Sequence, residues 1–395
     1  MKKSILFING NLSVGGVEMA LVNLLNCIDI SQYDVDLLLL QDGYDYEADI
    51  PKHINCIKFN LDEAEGPFLQ SIIKNTKSGN GFCVNYRITS LLAKSVSPKF
   101  FRFLSFNGRL KHKYDAVIAF RPGICADLAL YKVNSDLKIC WWHHGDTNIG
   151  VPLSTINEQL RQFDKVVAVS TGVKGLLSDT FPDLASKVVV VHNIVDTDKI
   201  QSKAALYNPY QECKLSDKAF KIITVSRLSK EKNVTQAIYV AEILKQQGLN
   251  FHWHIVGDGN CRGEIDNLIH KFALESYITL AGNQPNPYPW IKGADLMVHL
   301  SPVESFGLVI LEAMALGVPC IAVESIGAKE LINDQNGILV KNDISTIANQ
   351  IMHIIDEPSL RESHINNADR ALQKFSSESI FQSFKHLVHD KTNFQ

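Results

Sequence analysis

Several patterns that would assign this chain to a particular class of protein are missing. Its eight cysteines are scattered, with no C-x-x-C pair and no histidine at zinc-finger spacing, so we interpret them as reduced core thiols. No apolar window reaches the roughly 18 residues that a membrane-spanning helix needs. The first residues, MKKSILFINGNLS, lack the apolar stretch of a secretory signal because Asn9 and Asn11 interrupt it. We therefore expect a cytoplasmic protein, or one attached to a membrane only peripherally.

A strong charge excess and several nucleotide-binding loops are also absent. With 39 Lys and Arg against 42 Asp and Glu, the net charge is -3, which argues against a dedicated nucleic-acid-binding protein. Neither G-x-S-x-G nor G-x-x-x-x-G-K-[ST] occurs, so hydrolase and P-loop interpretations have no anchor. G-x-G-x-x-G is missing too, which weakens any assignment as a dinucleotide-binding protein.

Length and the order of apolar segments indicate two domains. A chain of 395 residues exceeds what one hydrophobic core usually organises. Short apolar runs alternate with amphipathic stretches, as in parallel strands joined by helices, and the pattern restarts after the polar stretch 208–219. We predict an α/β fold with two doubly wound domains, 1–205 and 206–375, and a helix in 376–395 that packs back on the first domain. Predicted strands are 4–10, 34–40, 54–59, 116–120, 138–143, 165–170, 188–193, 220–226, 251–257, 278–282, 296–301 and 320–323, and 17–26 is a predicted helix.

The segment 66–114 has an unusual composition. It carries nine basic residues and not one Asp or Glu. Apolar side chains lie among these charges, as in a helix that rests on an anionic bilayer surface. A solvated helical lid with a buried aromatic face would have the same composition, so both interpretations stay open. The basic residues are Lys74, Lys77, Arg87, Lys94, Lys99, Arg102, Arg109, Lys111 and Lys113, and the apolar ones are Leu91, Leu92, Phe100, Phe101, Phe103, Leu104 and Phe106.

The strongest chemical signal is the segment SPVESFGLVILEAMALGVPCIAV, in which seven residues separate Glu304 from Glu312. It follows a predicted strand and opens a predicted helix. The backbone N–H groups of Phe306, Gly307 and Leu308 would lie at the positive end of that helix, which suits a phosphate. The rise along the helix from Gly307 to Glu312 would be about 7 Å, at about 1.5 Å per residue, so Glu312 could reach a ribose. For an isolated pair of glutamates at this spacing, a capped helix with a surface carboxylate would be the preferred explanation.

This segment closely resembles the E-x7-E signature of retaining glycosyltransferase family 4. The resemblance implies the GT-B fold, in which two Rossmann-like domains face each other across a cleft that binds a nucleotide-sugar donor. By that resemblance Glu312 binds the ribose hydroxyls and Glu304 contacts the donor sugar. The sequence departs from the family at ESIGAKELI, where Gly327 alone remains of a frequent glycine pair.

A second match is SRLSKEKN, which places Arg227 and Lys232 after a predicted strand with the R-x4-K spacing of the same family. Two cations at this place would neutralise a departing diphosphate, because they stabilise charge that develops in the transition state. A polar loop with Lys230 and Lys232 in solvent is the alternative when the motif is taken alone. The E-x7-E segment downstream favours the functional interpretation.

A third match is WWHHGD, which follows a predicted strand where the family often has W-x-H-x-D. Matched residue by residue, the motif is Trp142, His144 and Asp146. The resemblance implies that His144 faces the donor sugar and that Asp146 faces the sugar or the acceptor. His143 is an alternative to His144, and a histidine at a strand end is more often a packed residue than a catalytic one.

Weaker matches complete the candidate site. The sequence GGVE is similar to the glycine turn near the start of such enzymes, where Gly15 and Gly16 would let a substrate approach the backbone, although a simple turn has the same residues. Asn193, in HNIVD, fits the interdomain asparagine of the family. Gly257, in GDGNCRGE, is a weak candidate for a contact to the nucleotide, and the segment is most simply a turn.

The resemblance implies a retaining, hexosyltransferase-type enzyme that moves a hexose or N-acetylhexosamine from a nucleotide sugar, with UDP favoured, to a glycan acceptor. The basic segment suggests an acceptor on polyprenyl diphosphate at the inner face of the cytoplasmic membrane, as in capsule, exopolysaccharide or O-antigen synthesis. An epimerase, a transferase with a soluble acceptor and a catalytically silent partner subunit remain alternatives. We expect no cofactor and no catalytic metal, because the D-x-D patterns lie at a strand start (Asp34, Asp36) and beside the linker (Asp196, Asp198).

Overall fold

The computed structural model describes residues 2–59, 61, 67–96, 100, 110–111, 113–211 and 219–389. Parts of two predicted features lie outside these residues: the linker from 212 to 218, and much of the basic segment. The residues concerned are Gly66, Lys99, Phe101, Arg102, Phe103, Leu104, Phe106, Arg109 and Cys213, together with the side chain of Lys94.

Strands and helices alternate along the described chain. The strands are β1 Lys3–Asn9, β2 Tyr33–Leu39, β3 Asn55–Lys58, β4 Tyr114–Ala119, β5 Ser135–Trp142, β6 Lys165–Ala168, β7 Val188–Val190, β8 Phe220–Val225, β9 Phe251–Val256, β10 Ile278–Gly282, β11 Leu296–His299, β12 Cys320–Val323 and β13 Ile338–Val340. The helices are α1 Gly16–Cys27, α2 Phe68–Lys77, α3 Gly81–Ser95, α4 Ile124–Tyr131, α5 Leu153–Arg161, α6 Thr171–Thr180, α7 Thr197–Ala204, α8 Thr235–Gln246, α9 Arg262–Lys271, α10 Tyr288–Lys292, α11 Leu308–Ala315, α12 Ala328–Leu331, α13 Ile344–Asp356, α14 Pro358–Lys374 and α15 Ser377–His389.

Both sheets are parallel and doubly wound. Within the described residues the first sheet has the order β3-β2-β1-β4-β5-β6-β7, and the second has the order β10-β9-β8-β11-β12-β13. In each sheet the chain first winds outward on one side and then continues on the other side of its first strand. This order is that of Rossmann-like sheets, in which ligands bind beyond the carboxyl ends of the strands at the point of reversal. The predicted fold class, α/β with two Rossmann-like domains, is confirmed.

Burial explains why apolar runs form the central strands. Every residue of β9 is buried, and Ile5, Leu6, Phe7 and Ile8 of β1 are fully buried. A parallel strand covered by helices on both faces needs such a continuous run. Of the described cysteines, which form no disulfides, most are buried and two are half-buried.

The chain divides into two compact units. Unit 1 comprises the described residues up to 143, 147–191 and 381–389, and unit 2 comprises 144–146 and the described residues of 192–380. The division after Val191 lies before residue 205, where the sequence analysis ends the first domain. Helix α7 belongs to unit 2 because it packs on α10 and α11, and its Gln201 side chain donates to the Ala315 carbonyl over 3.2 Å.

The second part of α15 completes the core of unit 1. Phe384 is fully buried and stacks on Phe7 of β1, with 6.1 Å between the ring centroids. Lys3 Nζ donates to the Val388 carbonyl over 2.8 Å. No helix of the described residues is long and apolar enough to cross a membrane.

Candidate active site

The candidate residues cluster after strands at the two points where the sheet order reverses. In unit 2, β8 and β11 are neighbours, and the loops that follow them carry Lys232 and Glu304. In unit 1, β1 and β4 are neighbours, and the segments that follow them carry Gly15 and Arg121. The carboxyl ends of neighbouring parallel strands meet at the same edge of a sheet, so each pair of loops lies together.

Glu304 is the centre of a largely buried charge cluster in unit 2. Its side chain is 15% exposed, and its Oε2 accepts a 2.6 Å hydrogen bond from Lys232 Nζ. His299 Nε2, on β11, lies 3.3 Å from the same oxygen. Burial alone would raise the pKa of this carboxyl, but His299 and the Lys232 charge outweigh it and hold the pKa at about 2. Glu304 is therefore an anion at neutral pH that accepts hydrogen bonds and has no proton to donate.

His299 is a member of this cluster that sequence reasoning missed. It is 3% exposed and is the last residue of β11. The available signal was one polar residue at the carboxyl end of the apolar run LMVHLS, directly before the E-x7-E motif. Buried polar side chains at such a strand end are positioned to face the loops of a site.

Helix α11 starts in a geometry that leaves backbone donors available. Gly307 precedes it with a φ of 95°, in the left-handed region that favours glycine. Among the described residues no side chain caps this start, and Ile310 N donates to the Gly307 carbonyl over 2.9 Å. Donors at the beginning of an uncapped helix remain for water or a ligand. An added Cβ at Gly327 would lie 2.4 Å from Phe306 N, so the retained glycine is needed for close backbone packing here.

Glu312 differs from Glu304 in its protonation. It is half-buried on α11, and burial raises its pKa to about 7, while a hydrogen bond from the Tyr288 side chain acts in the opposite direction. Glu312 is thus divided between its neutral and charged forms at neutral pH. Tyr288, at the start of α10, is a second neighbour that the sequence did not reveal.

The two predicted cations have different environments. Lys232 ends a 3₁₀ turn, Lys230–Lys232, and its side chain is 21% exposed against Glu304. Arg227 is 69% exposed and pairs with Glu231 over 3.0 Å. Lys232 is therefore held inside the cluster, whereas Arg227 is a surface cation that is free to change partners.

The segment after β5 lies against the E-x7-E loop. His144–Asp146 are grouped with unit 2 and are half-buried. An added Cβ at Gly145 would lie 2.9 Å from Glu304 C and 3.0 Å from Ser305 N. The backbones touch at this point, which brings two predicted motifs together within unit 2.

His143 has a different environment from His144. Its side chain is 9% exposed in unit 1, with its ring centroid 4.6 Å from that of Phe120 and 6.2 Å from that of Trp141. It is packed among aromatic rings, as the alternative interpretation of a strand-end histidine expects. The roles of both histidines remain predictions.

The glycine turn of unit 1 adjoins a charge pair. Gly15 precedes α1 with extended backbone, and an added Cβ there would lie 2.4 Å from Glu18 Oε2. Glu18 is 5% exposed and forms an ion pair with Arg121, which follows β4. An added Cβ at Gly16 would meet none of the described atoms within 4 Å, apart from its chain neighbours and the backbone of α1. The Glu18–Arg121 pair was not predicted and holds the turn in place.

Other candidates have local structural explanations. Gly257 has a φ of 137°, an added Cβ would lie 2.0 Å from the Ser226 carbonyl oxygen, and its N–H donates to the Gly282 carbonyl over 2.8 Å. The backbone conformation therefore requires glycine whether or not a nucleotide binds. Asn193 is 8% exposed near the start of unit 2. The functional roles of Gly257 and Asn193 remain predictions.

Asp34, Asp36 and Asp196 of the two D-x-D patterns make contacts that stabilise the fold. Asp36 accepts a 2.5 Å hydrogen bond from the Tyr114 hydroxyl, and Asp34 pairs with Lys111. Asp196 caps α7 by accepting a 2.9 Å hydrogen bond from Lys199 N.

Comparisons with known proteins identify the family of this chain. Residues 211–371 match the family described as glycosyl transferases group 1. The chain is 30% identical over 282 residues to N-acetyl-alpha-D-glucosaminyl L-malate synthase of Bacillus anthracis, covering 68% of this chain and 71% of that protein. It is 26% identical over 233 residues to an N-acetylgalactosamine-N,N'-diacetylbacillosaminyl-diphospho-undecaprenol 4-alpha-N-acetylgalactosaminyltransferase of Campylobacter jejuni, covering 57% of this chain and 61% of that protein.

A solved structure supports the fold over the whole length. The crystal structure of Anabaena HepE in complex with UDP and glucose superposes with a TM-score of 0.73 at 20% identity, covering 98% of this chain and 99% of that one. The architecture is thus that of GT-B glycosyltransferases. The chain belongs to the group 1 glycosyltransferase family and is a hexosyltransferase-type enzyme.

Proposed function

We propose that this protein is a retaining transferase of family 4 that takes a hexose or N-acetylhexosamine from a UDP-linked donor. The observation that carries the proposal is the Glu304–Lys232 pair beside the uncapped start of α11. A helix start with available backbone donors next to a half-buried cation suits a diphosphate. The UDP complex of Anabaena HepE, which shares the fold, supports the choice of nucleotide.

The charge states of the cluster suggest how the reaction proceeds. Glu304, whose pKa is about 2, accepts hydrogen bonds from the sugar and does not act as an acid. Lys232 and Arg227 stabilise the departing diphosphate, which receives the acceptor's proton on the face that it leaves. Attack on that same face retains the anomeric configuration. We assign Glu312 to the ribose, His144 to the donor sugar and Asp146 to the sugar or the acceptor.

For the acceptor we propose a glycan on polyprenyl diphosphate, used in bacterial surface polysaccharide synthesis at the cytoplasmic face of the membrane. The Campylobacter jejuni relative, whose name specifies a diphospho-undecaprenol acceptor, supports this choice. Incubation with candidate UDP-sugars and short glycans on polyprenyl diphosphate, followed by NMR of the product, reports the linkage and its anomeric configuration. An inverted product would refute retention.

Donor binding is expected to raise the melting temperature, because a ligand that binds only the folded state stabilises it. We expect a shift with one member of the set UDP-Glc, UDP-Gal, UDP-GlcNAc, UDP-GalNAc and GDP-Man. Arg227→Ala should lose most of that shift, since its exposed guanidinium turns from Glu231 to the diphosphate. Arg370→Ala, which removes an exposed arginine of α14, is the matched control and should keep it. Equal shifts in both variants would contradict the assigned diphosphate site.

Nucleotide binding should strengthen as the pH rises through 7. The raised pKa of Glu312 means that, without nucleotide, the folded state binds a proton more tightly than the unfolded state. The contribution of Glu312 to the free energy of unfolding therefore falls as the pH rises from 4.5 to about 7. A ribose hydroxyl that donates to this carboxylate favours its charged form. If the bound pKa is one unit lower, UDP affinity rises about fivefold from pH 6 to pH 8. Calorimetry measures UDP affinity against pH for wild type and Glu312→Gln, and the variant shows the part that is due to titration of the phosphate. If affinity rises equally with pH in both proteins, the ribose contact of Glu312 is excluded.

A further inference from the structure

The hairpin formed by α2 and α3 exposes aliphatic side chains to solvent. Helices on the surface of a globular protein normally turn such side chains toward the core. Within the described residues, six of the large exposed hydrophobic side chains lie on this short segment. They are Leu69 (71% exposed), Ile73 (55%), Ile88 (43%), Leu91 (49%), Leu92 (37%) and Val96 (67%).

The buried side of the same hairpin is partly polar. Ser71 is 3% exposed and Asn75 is 1% exposed, and Asn75 Nδ2 donates to the Ser71 carbonyl over 2.9 Å. Thr89 of α3 is 3% exposed and donates to the Asn85 carbonyl over 2.8 Å. Small and polar residues inside with aliphatic residues outside is the arrangement of helices that face lipid.

The basic residues of the hairpin indicate which kind of partner its exposed surface binds. From 67 to 96 the sequence carries Lys74, Lys77, Arg87 and Lys94 and no acidic residue. Ile73 and Lys77 are four residues apart on α2, so a lysine borders the exposed aliphatic stripe. Arg87 lies over the Phe68 ring, 5.6 Å from its centroid, and links the two helices. A second copy of the same hairpin would be repelled by these like charges, whereas an anionic lipid surface would attract them.

We propose that the α2–α3 hairpin docks on an anionic lipid bilayer. Leu69, Ile73 and Leu91 enter the headgroup boundary, and Lys74 and Lys77 approach the lipid phosphates. Phe82 of α3 packs on Phe59, with 4.6 Å between the ring centroids, and so fastens the hairpin to unit 1. The docking itself does not depend on the proposed function. Only its biological role does, which is to bring the enzyme to a lipid-linked acceptor.

Liposome flotation of the full chain tests the docking without requiring catalysis. We expect the protein to float with vesicles that contain phosphatidylglycerol, to float far less with phosphatidylcholine vesicles, and to be released by high salt. The double variants Leu69→Ser/Ile73→Ser and Lys74→Glu/Lys77→Glu should each lose most of the bound fraction. All four positions are exposed, so the variants should keep the wild-type melting temperature.

Two matched controls remove the same chemistry elsewhere. Leu206→Ser changes a side chain that is 72% exposed in unit 2, and Lys174→Glu reverses an exposed lysine of α6; both should float like wild type. Absence of wild-type flotation, or equal flotation of the folded hairpin variants, would overturn the proposal. So would a dimer in solution that both hairpin variants dissociate, because the surface would then join two copies. Sugar transfer to a soluble glycan primer is measured in the same variants and should be unchanged. Loss of flotation with transfer intact would concern docking alone, whereas absence of transfer in the wild type would concern the proposed function.

Discussion

Replacing Lys232 with alanine is expected to lower kcat for sugar transfer by about two to three orders of magnitude, the usual effect of removing one donor to a developing negative charge. Lys232 is the less exposed of the two predicted cations of the site, and its Nζ lies 2.6 Å from Glu304 Oε2. Its loss removes a diphosphate contact and leaves the Glu304 carboxylate without its main counterion. The second effect should cost about 3 kcal/mol of unfolding free energy, because an unpaired buried charge is poorly solvated.

Steady-state kinetics and thermal unfolding separate these two effects. Lys230→Ala, which removes an exposed lysine two residues away on the same 3₁₀ turn, is the control and should behave like wild type. Lys232→Ala combined with Glu304→Gln should recover much of the stability and none of the activity. A single variant with nearly wild-type kcat would exclude Lys232 from the transition-state contacts.

Replacing Gly257 with alanine is expected to destabilise unit 2 strongly. A φ of 137° is strained for any residue with a Cβ, which costs about 1–3 kcal/mol, and the added carbon would lie 2.0 Å from the Ser226 carbonyl oxygen. That oxygen belongs to the backbone that follows β8, so relief of the overlap must move the loop that carries Arg227.

Denaturant unfolding followed by circular dichroism measures this effect. Gly263→Ala is the matched control, because among the described residues its added Cβ, in the first turn of α9, would meet no atom within 4 Å beyond its chain neighbours and the backbone of that helix. It should be neutral or stabilising by up to about 1 kcal/mol, since alanine favours helix over glycine. Equal unfolding midpoints for the two variants would contradict the backbone explanation for Gly257.

The positions of most strands along the chain were predictable from sequence because buried parallel strands have continuous apolar runs. Runs such as SILFING and FHWHIVG had to be strands, and each predicted strand has a counterpart in the structure. β13 was missed because Ile338–Val340 is only three residues long and follows a turn. The sequence also could not predict that α7 belongs to unit 2, because its few apolar residues do not show which unit they pack against.

The sequence predicted the site residues that belong to short motifs, but not the contacts between motifs that are far apart in the chain. Glu304 and Lys232 were named from separate motifs, but their 2.6 Å contact joins residues 72 positions apart. His299 and Tyr288 were missed because a single polar residue in an apolar context has many explanations. The different pKa values of Glu304 and Glu312 depend on burial, on Lys232 and on these two neighbours, none of which the E-x7-E spacing contains.

The second part of α15 makes the order of synthesis matter. Phe384 lies on Phe7, and Tyr33 contacts His389 with 2.9 Å between the hydroxyl and Nε2. The core of unit 1, which contains β1, is therefore completed only after residues 381–389 have been synthesised. Unit 2, apart from residues 144–146, is a continuous stretch between them and can fold as it emerges. Until residues 381–389 are synthesised, Phe7 and Tyr33 lack the side chains that cover them, so we expect unit 2 to complete its core before unit 1 does.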